Sequence, residues 1–201
     1  MTVALAVVLT TPASASAQSP LRGLLRIGGE YGGDEVVQFT YADGSSPKVT
    51  AGGGILASIG GVYEAFTAGA HGMDVQLAAG IKYRTIPAAT NQDASWLRFP
   101  VDGLLFYRTP ASIRIGGGAT VHLRNVLQAS GAVLNDRVEF RNTPGLLLQA
   151  DYARGDVAFD LRYTAMTYEV ERGGSGTVGA SSIGGGLTFF LGRRAGGARR
   201  P

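Results

Sequence analysis

The chain has 201 residues, of which 45% are hydrophobic and only 16% charged, and its formal net charge is +3. The charged fraction lies well below the roughly 25% of a typical soluble domain, so a surface coated with charge is not expected. The sequence contains no cysteine, which excludes disulfides, thiolate metal sites, cysteine nucleophiles and a lipid-anchored cysteine. Its 31 glycines favour tightly curved sheet over helix.

Residues 1–17 have the pattern of a secretory signal peptide. Residues 3–9 form a short apolar core, and Ala15-Ser16-Ala17 gives the small-x-small cleavage pattern before Gln18. A buried N-terminal strand or helix is the alternative. Downstream, no run reaches the roughly 18 apolar residues of a transmembrane helix.

The dominant pattern along the rest of the chain is a two-residue alternation. Between residues 157 and 165, Val157, Phe159 and Leu161 share one face, while Asp160 and Arg162 share the other. Because side chains alternate across a strand, such a segment has an apolar medium on one side and a polar one on the other. Repeated without helical periodicity, this alternation is typical of a transmembrane β-barrel.

Eight such segments follow one another in the sequence. They cover residues 22–41, 49–63, 75–83, 97–107, 113–123, 146–152, 157–165 and 183–191, and the sixth has its apolar residues at even positions. Connections after segments four and six are short, whereas those after three, five and seven are long, as in bacterial outer-membrane barrels. The outer loops are expected chiefly at residues 85–95, 135–142 and 173–177. Tyrosines end many apolar runs, where an aromatic girdle is expected: Tyr31, Tyr63, Tyr83, Tyr107 and Tyr152.

We therefore predict an all-β fold, a single eight-stranded antiparallel up-and-down transmembrane barrel over residues 18–192, followed by a basic flexible tail at 193–201. The opposite face of the strands carries polar residues, and an eight-stranded barrel is only wide enough to be filled by side chains. The predicted ion-pair network of this lumen comprises Arg26, Glu30, Asp74, Lys82, Arg84, Arg98, Asp102, Arg108, Arg114, His122, Arg124, Asp151, Asp160 and Arg162.

On this architecture, the chain resembles the small outer-membrane barrel proteins of the kind represented by OmpX and the OmpA membrane domain, over residues 21–192. In the last strand, Gly186, Phe189 and Leu191 are similar to the family's glycine-x-x-aromatic-x-hydrophobic assembly signal, although here the chain continues for about ten residues beyond it. The resemblance implies the outer membrane of a Gram-negative-type bacterium, contact with its lipid and recognition by the barrel-assembly machinery. Members of this family serve as anchors, adhesins, channels or lipid-modifying enzymes, so no single activity is implied.

The remaining motifs favour structural roles over catalysis. A lipid A deacylase carries His-x-Ser on a strand, whereas here Arg124 follows His122 at the serine position. Asp102 and Asp160 are expected to form salt bridges rather than a catalytic carboxylate pair. Trp96 is expected to anchor the barrel at the membrane interface. We therefore expect no enzyme, no cofactor and no metal site.

The basic residues do not indicate nucleic-acid binding, because four of the 18 lie in the tail, at Arg193, Arg194, Arg199 and Arg200, without a basic helix or a binding motif. The sequence leaves open whether the protein binds a surface or cell-wall partner. The expected role is structural or interactive, through the outer loops. Three alternatives remain: a narrow porin-like channel for small solutes, a lipid-modifying enzyme, and a soluble lipocalin-like carrier with its apolar faces turned inward.

Overall fold

The computed structural model describes residues 20–38, 48–86, 93–130, 135–141 and 143–192. The predicted signal peptide at 1–17, the predicted turn at 43–46 and the basic tail at 193–201 lie outside the described residues. Within them, no helix is long and apolar enough to cross a membrane.

The described residues form thirteen strands, eight of which close into a barrel. The strands are β1 (Leu21–Tyr31), β2 (Glu35–Gln38), β3 (Lys48–Thr50), β4 (Gly54–Ala68), β5 (His71–Ile86), β6 (Asp93–Arg108), β7 (Ile113–Ser130), β8 (Asn135–Phe140), β9 (Pro144–Arg154), β10 (Val157–Ala165), β11 (Thr167–Arg172), β12 (Thr177–Gly179) and β13 (Ser182–Leu191). Every barrel pairing is antiparallel, in the order β1, β4, β5, β6, β7, β9, β10 and β13, and β13 pairs back onto β1. The predicted eight-stranded up-and-down barrel is confirmed.

One end of the barrel, the short-turn end, carries the connections 69–70, 109–112 and 155–156. Gly69 and Gly155 have φ angles of 60° and 65° in these turns, a left-handed conformation that glycine adopts without a Cβ clash. The first barrel strand begins and the last one ends at this same end. All longer connections therefore lie at the opposite, long-connection end, as the alternation of turn lengths predicted.

The short strands β2, β3, β8, β11 and β12 build the long-connection end. β8 extends the pairing of β7 and also pairs with β11, whereas β2 and β3 form a separate two-stranded antiparallel sheet. Parts of two predicted outer loops are paired strand, because β5, β6 and β8 continue their backbone pairing into residues 85–86, 93–95 and 135–140. The first predicted strand is also interrupted after Tyr31, where Gly32 and Gly33 have φ angles of 130° and 83°.

The two faces of the barrel wall differ in the predicted sense. Large apolar side chains of all eight barrel strands point outward, and we call this surface the apolar belt; it includes Ile27, Ile59, Leu77, Leu105, Ile115, Leu148, Phe159 and Ile183. The five tyrosines that end apolar runs are also exposed on this surface. The arginines at mid-strand are buried inside. This arrangement is the opposite of a soluble carrier barrel, which encloses its apolar faces.

The lumen is not wholly polar. One apolar cluster, the outer core, fills the long-connection end and consists of Val49, Ala51, Ala94, Trp96, Leu127, Phe140, Met166, Tyr168 and Ala180. Two smaller clusters lie deeper in the barrel and consist of Leu24, Val62, Ala78, Ala158 and Phe190, and of Leu104, Phe106 and Leu147. The charged side chains are therefore packed among apolar ones rather than bathed in water.

Candidate functional site

A chain of charged side chains crosses the middle of the lumen. Arg162 on β10 places Nη2 2.5 Å from Asp102 Oδ2 on β6, and its Nε lies 3.5 Å from Glu30 Oε1 on β1. Glu30 also accepts a 2.6 Å hydrogen bond from Lys82, and Thr120 donates one of 2.6 Å to Asp102. Two strands separate β10 from β6 around the wall, so the Arg162–Asp102 pair spans the interior. Two cations and two carboxylates thus neutralise one another.

A second ion pair lies beside this chain. Arg26 on β1 donates from Nη2 to Asp160 on β10 at 2.6 Å, and its Nε donates to the same carboxylate at 3.1 Å. Gly28 and Gly186 make room for it, because a Cβ on either would lie 3.1 Å from Arg26 Nη2. A Cβ on Gly186 would also lie 2.6 Å from a carbonyl oxygen of β1. Glycine at these inward positions therefore provides the space that the guanidinium occupies.

Toward the short-turn end, two arginines share acidic partners. Arg108 lies 3.2 Å from Asp74, and Arg114 lies 3.4 Å from both Asp74 and Asp151. The Arg114 guanidinium also lies 4.1 Å from the centre of the Phe106 ring. A delocalised, weakly hydrated guanidinium suits such a confined site, where it pairs with carboxylates and stacks on an aromatic face.

A vestibule of about 570 Å³ opens at the short-turn end. Its wall includes Arg22, Glu64, Arg108, Arg114 and Asp156. Arg22 forms a 2.8 Å ion pair with Asp156 at the rim. The vestibule thus has both signs of charge in its wall.

At the long-connection end, Arg98 is completely buried without an ion pair to a carboxylate of the described residues. It donates hydrogen bonds to the carbonyl oxygens of Ala51 and Gly53, and its guanidinium lies 4.8 Å from the Trp96 ring centre. Backbone carbonyls and an aromatic face therefore replace the expected counter-ion.

Trp96 occupies a position other than the one predicted. It is fully buried in the outer core, where its indole donates a 2.5 Å hydrogen bond to Asn125 Oδ1. Its ring stacks on Phe140 with centroids 5.0 Å apart. The prediction of an interface anchor was wrong, because β6 extends past the apolar belt and its inward face there meets other strands rather than headgroups.

His122 belongs to the same buried layer. Its Nδ1 lies 2.5 Å from the hydroxyl of Tyr168. Tyr168 lies on β11 beyond the apolar belt, and burial raises the pKa of its hydroxyl. His71, by contrast, is exposed at the short-turn end beside the Tyr107 hydroxyl, 2.6 Å away, so the two histidines do not share a site.

Twelve of the fourteen predicted lumen residues are buried, and ten of them form ion pairs with one another. The ten are Arg26, Glu30, Asp74, Lys82, Asp102, Arg108, Arg114, Asp151, Asp160 and Arg162. Arg98 and His122 are buried with the other partners described above. Arg84 is half-buried, and its buried Nε donates no hydrogen bond within the described part of the chain. Asp102 and Asp160 bind separate arginines, as the salt-bridge interpretation predicted.

Arg124 was predicted to face the lumen, and this prediction was wrong. Its side chain is exposed, and its backbone has a φ of 46°. The β6–β7 register shifts here, since Phe99 pairs with Leu123 whereas Leu97 pairs with Val126. This bulge inserts an extra residue, which turns Arg124 outward and reverses the face on which later residues lie.

The predicted assembly signal lies on β13, the strand that closes the barrel against β1. Gly186 faces inward, whereas Leu191 is exposed on the outside and Phe189 is half-buried. Recognition of these residues by an assembly machinery stays a prediction. In the part of the chain that the structure describes, no group of three His, Asp or Glu side chains is arranged to hold a metal ion.

Known proteins resemble this chain in fold rather than in sequence. No protein-family model matches it. No curated protein matches it either. Among solved structures, one match is the attachment invasion locus protein Ail of Yersinia pestis, in complex with the heparin analogue sucrose octasulfate. Its sequence is 12% identical and the TM-score is 0.50, and the match covers 84% of this chain and 97% of that one. The fold is that of a small outer-membrane β-barrel.

Two further structures match along most of their lengths. Neisserial surface protein A is 14% identical with a TM-score of 0.46, over 85% of this chain and 97% of that one. The outer-membrane protein AlkL, determined in DMPC bilayers, is 11% identical with a TM-score of 0.39, over 97% of this chain and 100% of that one.

Proposed function

We propose that the protein resides in the outer membrane as a barrel with a side-chain-filled lumen, and that it acts structurally or through surface interactions of its long-connection end. The observation that carries this proposal is the apolar belt around an ion-paired interior. Among the described residues, 28 large hydrophobic side chains are exposed. A soluble monomer rarely exposes a contiguous apolar patch beyond a few hundred Å², whereas a lipid-facing barrel wall requires one.

Placement in the outer membrane is tested by fractionation and gel mobility. We expect the full chain to remain with the outer membrane after spheroplast fractionation, and to migrate faster on a gel when unheated than after boiling, because a closed barrel stays compact in detergent. Release into the soluble periplasmic fraction would contradict the proposal.

A filled lumen predicts a barrel that conducts no ions. The Arg162–Asp102 pair spans the interior, and apolar clusters occupy the lumen above and below it. We expect purified protein in a planar bilayer to show no steady single-channel steps. Steps of uniform size would favour the second candidate, a narrow channel for small solutes, for which the vestibule of about 570 Å³ would be the entrance.

The proposed role involves no catalysis. His122, the histidine inside the barrel, is 4% exposed and bonded to Tyr168, so a lipid substrate has no access to it. Incubation of the folded protein with lipid A and phospholipid tests this point, and release of fatty acid would contradict it. Partners in biogenesis are proposed to be the barrel-assembly machinery, through β13, and outer-membrane lipid, through the apolar belt.

A further inference from the structure

The bulge that turns Arg124 outward creates a small groove on the outer wall of the barrel. The groove measures about 110 Å³, and we call it the Arg124 groove; it is lined by Ser95, Leu97, Arg124, Val126, Gln128 and Arg137. Its floor spans three neighbouring strands, because Gln128 on β7 pairs with Ser95 on β6 and with Arg137 on β8. Polar and apolar residues therefore meet in one concave patch.

The Arg124 groove lies at the upper edge of the apolar belt. Leu97 and Leu123 are exposed beside it, and Leu97 pairs across the strands with the exposed Tyr83, one of the tyrosines that end apolar runs. Tyrosines of this kind lie at the level of lipid headgroups. Under the proposed outer-membrane location, on which this inference rests, the long-connection end faces outward, so the groove lies at the headgroups of the outer leaflet.

The charge of the groove favours an anion. Arg137 lies 2.9 Å from Glu139, and Glu139 also lies 3.6 Å from Arg172. No carboxylate of the described residues forms an ion pair with Arg124. Arg124 therefore adds a positive charge that no described carboxylate pairs with, and guanidinium groups bind phosphate oxygens through paired N–H donors.

The backbone conformation of Arg124 makes its outward position a specific feature. A φ of 46° is unfavourable for a residue with a Cβ, and glycine or asparagine would adopt it more readily. Arg124 is thus held in a backbone conformation that is unfavourable for arginine, and its side chain lies beside the apolar belt.

We propose that the Arg124 groove binds the phosphate of a lipid headgroup in the outer leaflet. The phosphate oxygens accept hydrogen bonds from Arg124 and Arg137, headgroup hydroxyls bond to Gln128 and Ser95, and the acyl chains follow the apolar belt past Leu97. The ligand is a phosphorylated, acylated membrane lipid rather than a soluble phosphate.

The test uses the full chain in phosphatidylcholine nanodiscs that contain either diphosphoryl lipid A or its dephosphorylated form. Native mass spectrometry measures how much of each lipid the barrel retains. We expect wild-type protein to retain the phosphorylated form preferentially, and Arg124→Gln and Arg137→Gln each to lower that preference about tenfold, as expected when one charge-assisted hydrogen bond is lost. Arg124→Gly removes the guanidinium and relieves the backbone, so a folded variant is available.

Arg154→Gln is the matched control, because Arg154 is an exposed arginine at the short-turn end. Equal retention of both lipids by wild type, or an equal loss in Arg154→Gln, would overturn the proposal. Competition by soluble glucosamine phosphate at equal concentration, with the same dependence on Arg124, would overturn the assignment to a membrane lipid. A chain that enters nanodiscs as a heat-modifiable barrel but shows no lipid preference refutes the groove alone, whereas failure to form such a barrel refutes the proposed function.

Discussion

Removal of Asp102 provides the most direct test of the ion-paired lumen. Asp102→Asn keeps the shape of the side chain and its oxygen beside Thr120, but it removes the charge that faces Arg162 at 2.5 Å. Both members of this pair have side chains only 3% exposed. The variant therefore leaves a buried guanidinium with one remaining carboxylate, Glu30, at 3.5 Å.

The expected cost follows from two opposing terms. At an effective dielectric constant of about 20, unit charges 2.5 Å apart attract by roughly 6–7 kcal/mol. Desolvation of the ions offsets much of this attraction, and measured losses on removing one partner of a buried pair are about 3–5 kcal/mol. Because Glu30 still faces Arg162, we expect Asp102→Asn to lower the free energy of unfolding by about 3 kcal/mol, the lower end of that range.

Urea unfolding in detergent or lipid vesicles, followed by Trp96 fluorescence, measures this change. Glu169→Gln is the control, because its ion pair with Arg141 at 3.2 Å has both side chains at least half exposed, and we expect a change of less than about 0.5 kcal/mol. Asp102→Leu combined with Arg162→Met removes both charges and should be more stable than Asp102→Asn. An Asp102→Asn variant whose free energy of unfolding lies within about 0.5 kcal/mol of wild type, or a double variant less stable than Asp102→Asn, would contradict the expected cost of the unpaired guanidinium.

Three further expectations are independent of that pair. Gly186→Ala places a Cβ against the β1 backbone and the Arg26 guanidinium, and should lower the free energy of unfolding in a urea titration by about 1–3 kcal/mol. Gly29→Ala is the control, because its Cβ would have no atom within 4 Å. Equal losses in the two variants would contradict the role of Gly186 in packing. Trp96 is the only tryptophan and is fully buried. Acrylamide and brominated lipids should therefore quench its fluorescence weakly in the folded barrel. Strong quenching by the lipid would place Trp96 at the membrane interface instead. Arg124→Gly relieves a left-handed backbone and should raise the free energy of unfolding by about 1 kcal/mol; a loss of stability would show that the side chain contributes more than the backbone strain costs.

The alternation of side chains was sufficient to predict the barrel and the faces of most residues. The pattern predicts that Arg26 and Asp160 lie inside, because each occupies an even position in a segment whose odd positions are apolar. Their pairing with each other was not predictable. Which inward side chains meet depends on strand tilt and stagger in the closed barrel, and those are properties of the whole sheet.

The sequence contained a signal for the apolar part of the lumen, although we did not predict it. Where both faces of a strand are buried in apolar surroundings, alternation disappears and consecutive apolar residues remain. The runs at Leu104–Leu105–Phe106 and Phe189–Phe190 are of this kind, and Leu104, Phe106 and Phe190 lie in the lumen.

The wrong placement of Arg124 has a different origin. A prediction from odd and even positions assumes an unbroken strand register. A single inserted residue moves every later side chain of the strand to the opposite face of the sheet. Asn125 and Leu127 are buried at odd positions for this reason, after His122 is buried at an even one. A non-glycine residue with positive φ has no sequence signature, so the bulge became visible only in the structure.

The layered lumen explains why ion pairs are tolerated at the centre of the barrel. An apolar interior needs side chains of matching volume. Arginine instead fills the space beside an inward glycine with a flat guanidinium group, and the several N–H donors of that group find hydrogen-bond partners nearby. Arg26 does so at Gly28 and Gly186, and Arg162 forms ion pairs with carboxylates from two other strands of the wall. Because the carboxylates of Arg162 come from β1 and β6, its full set of partners exists only when β13 has closed onto β1. The central charges therefore favour the closed barrel over open sheets, in which the same groups would face water or lipid without partners.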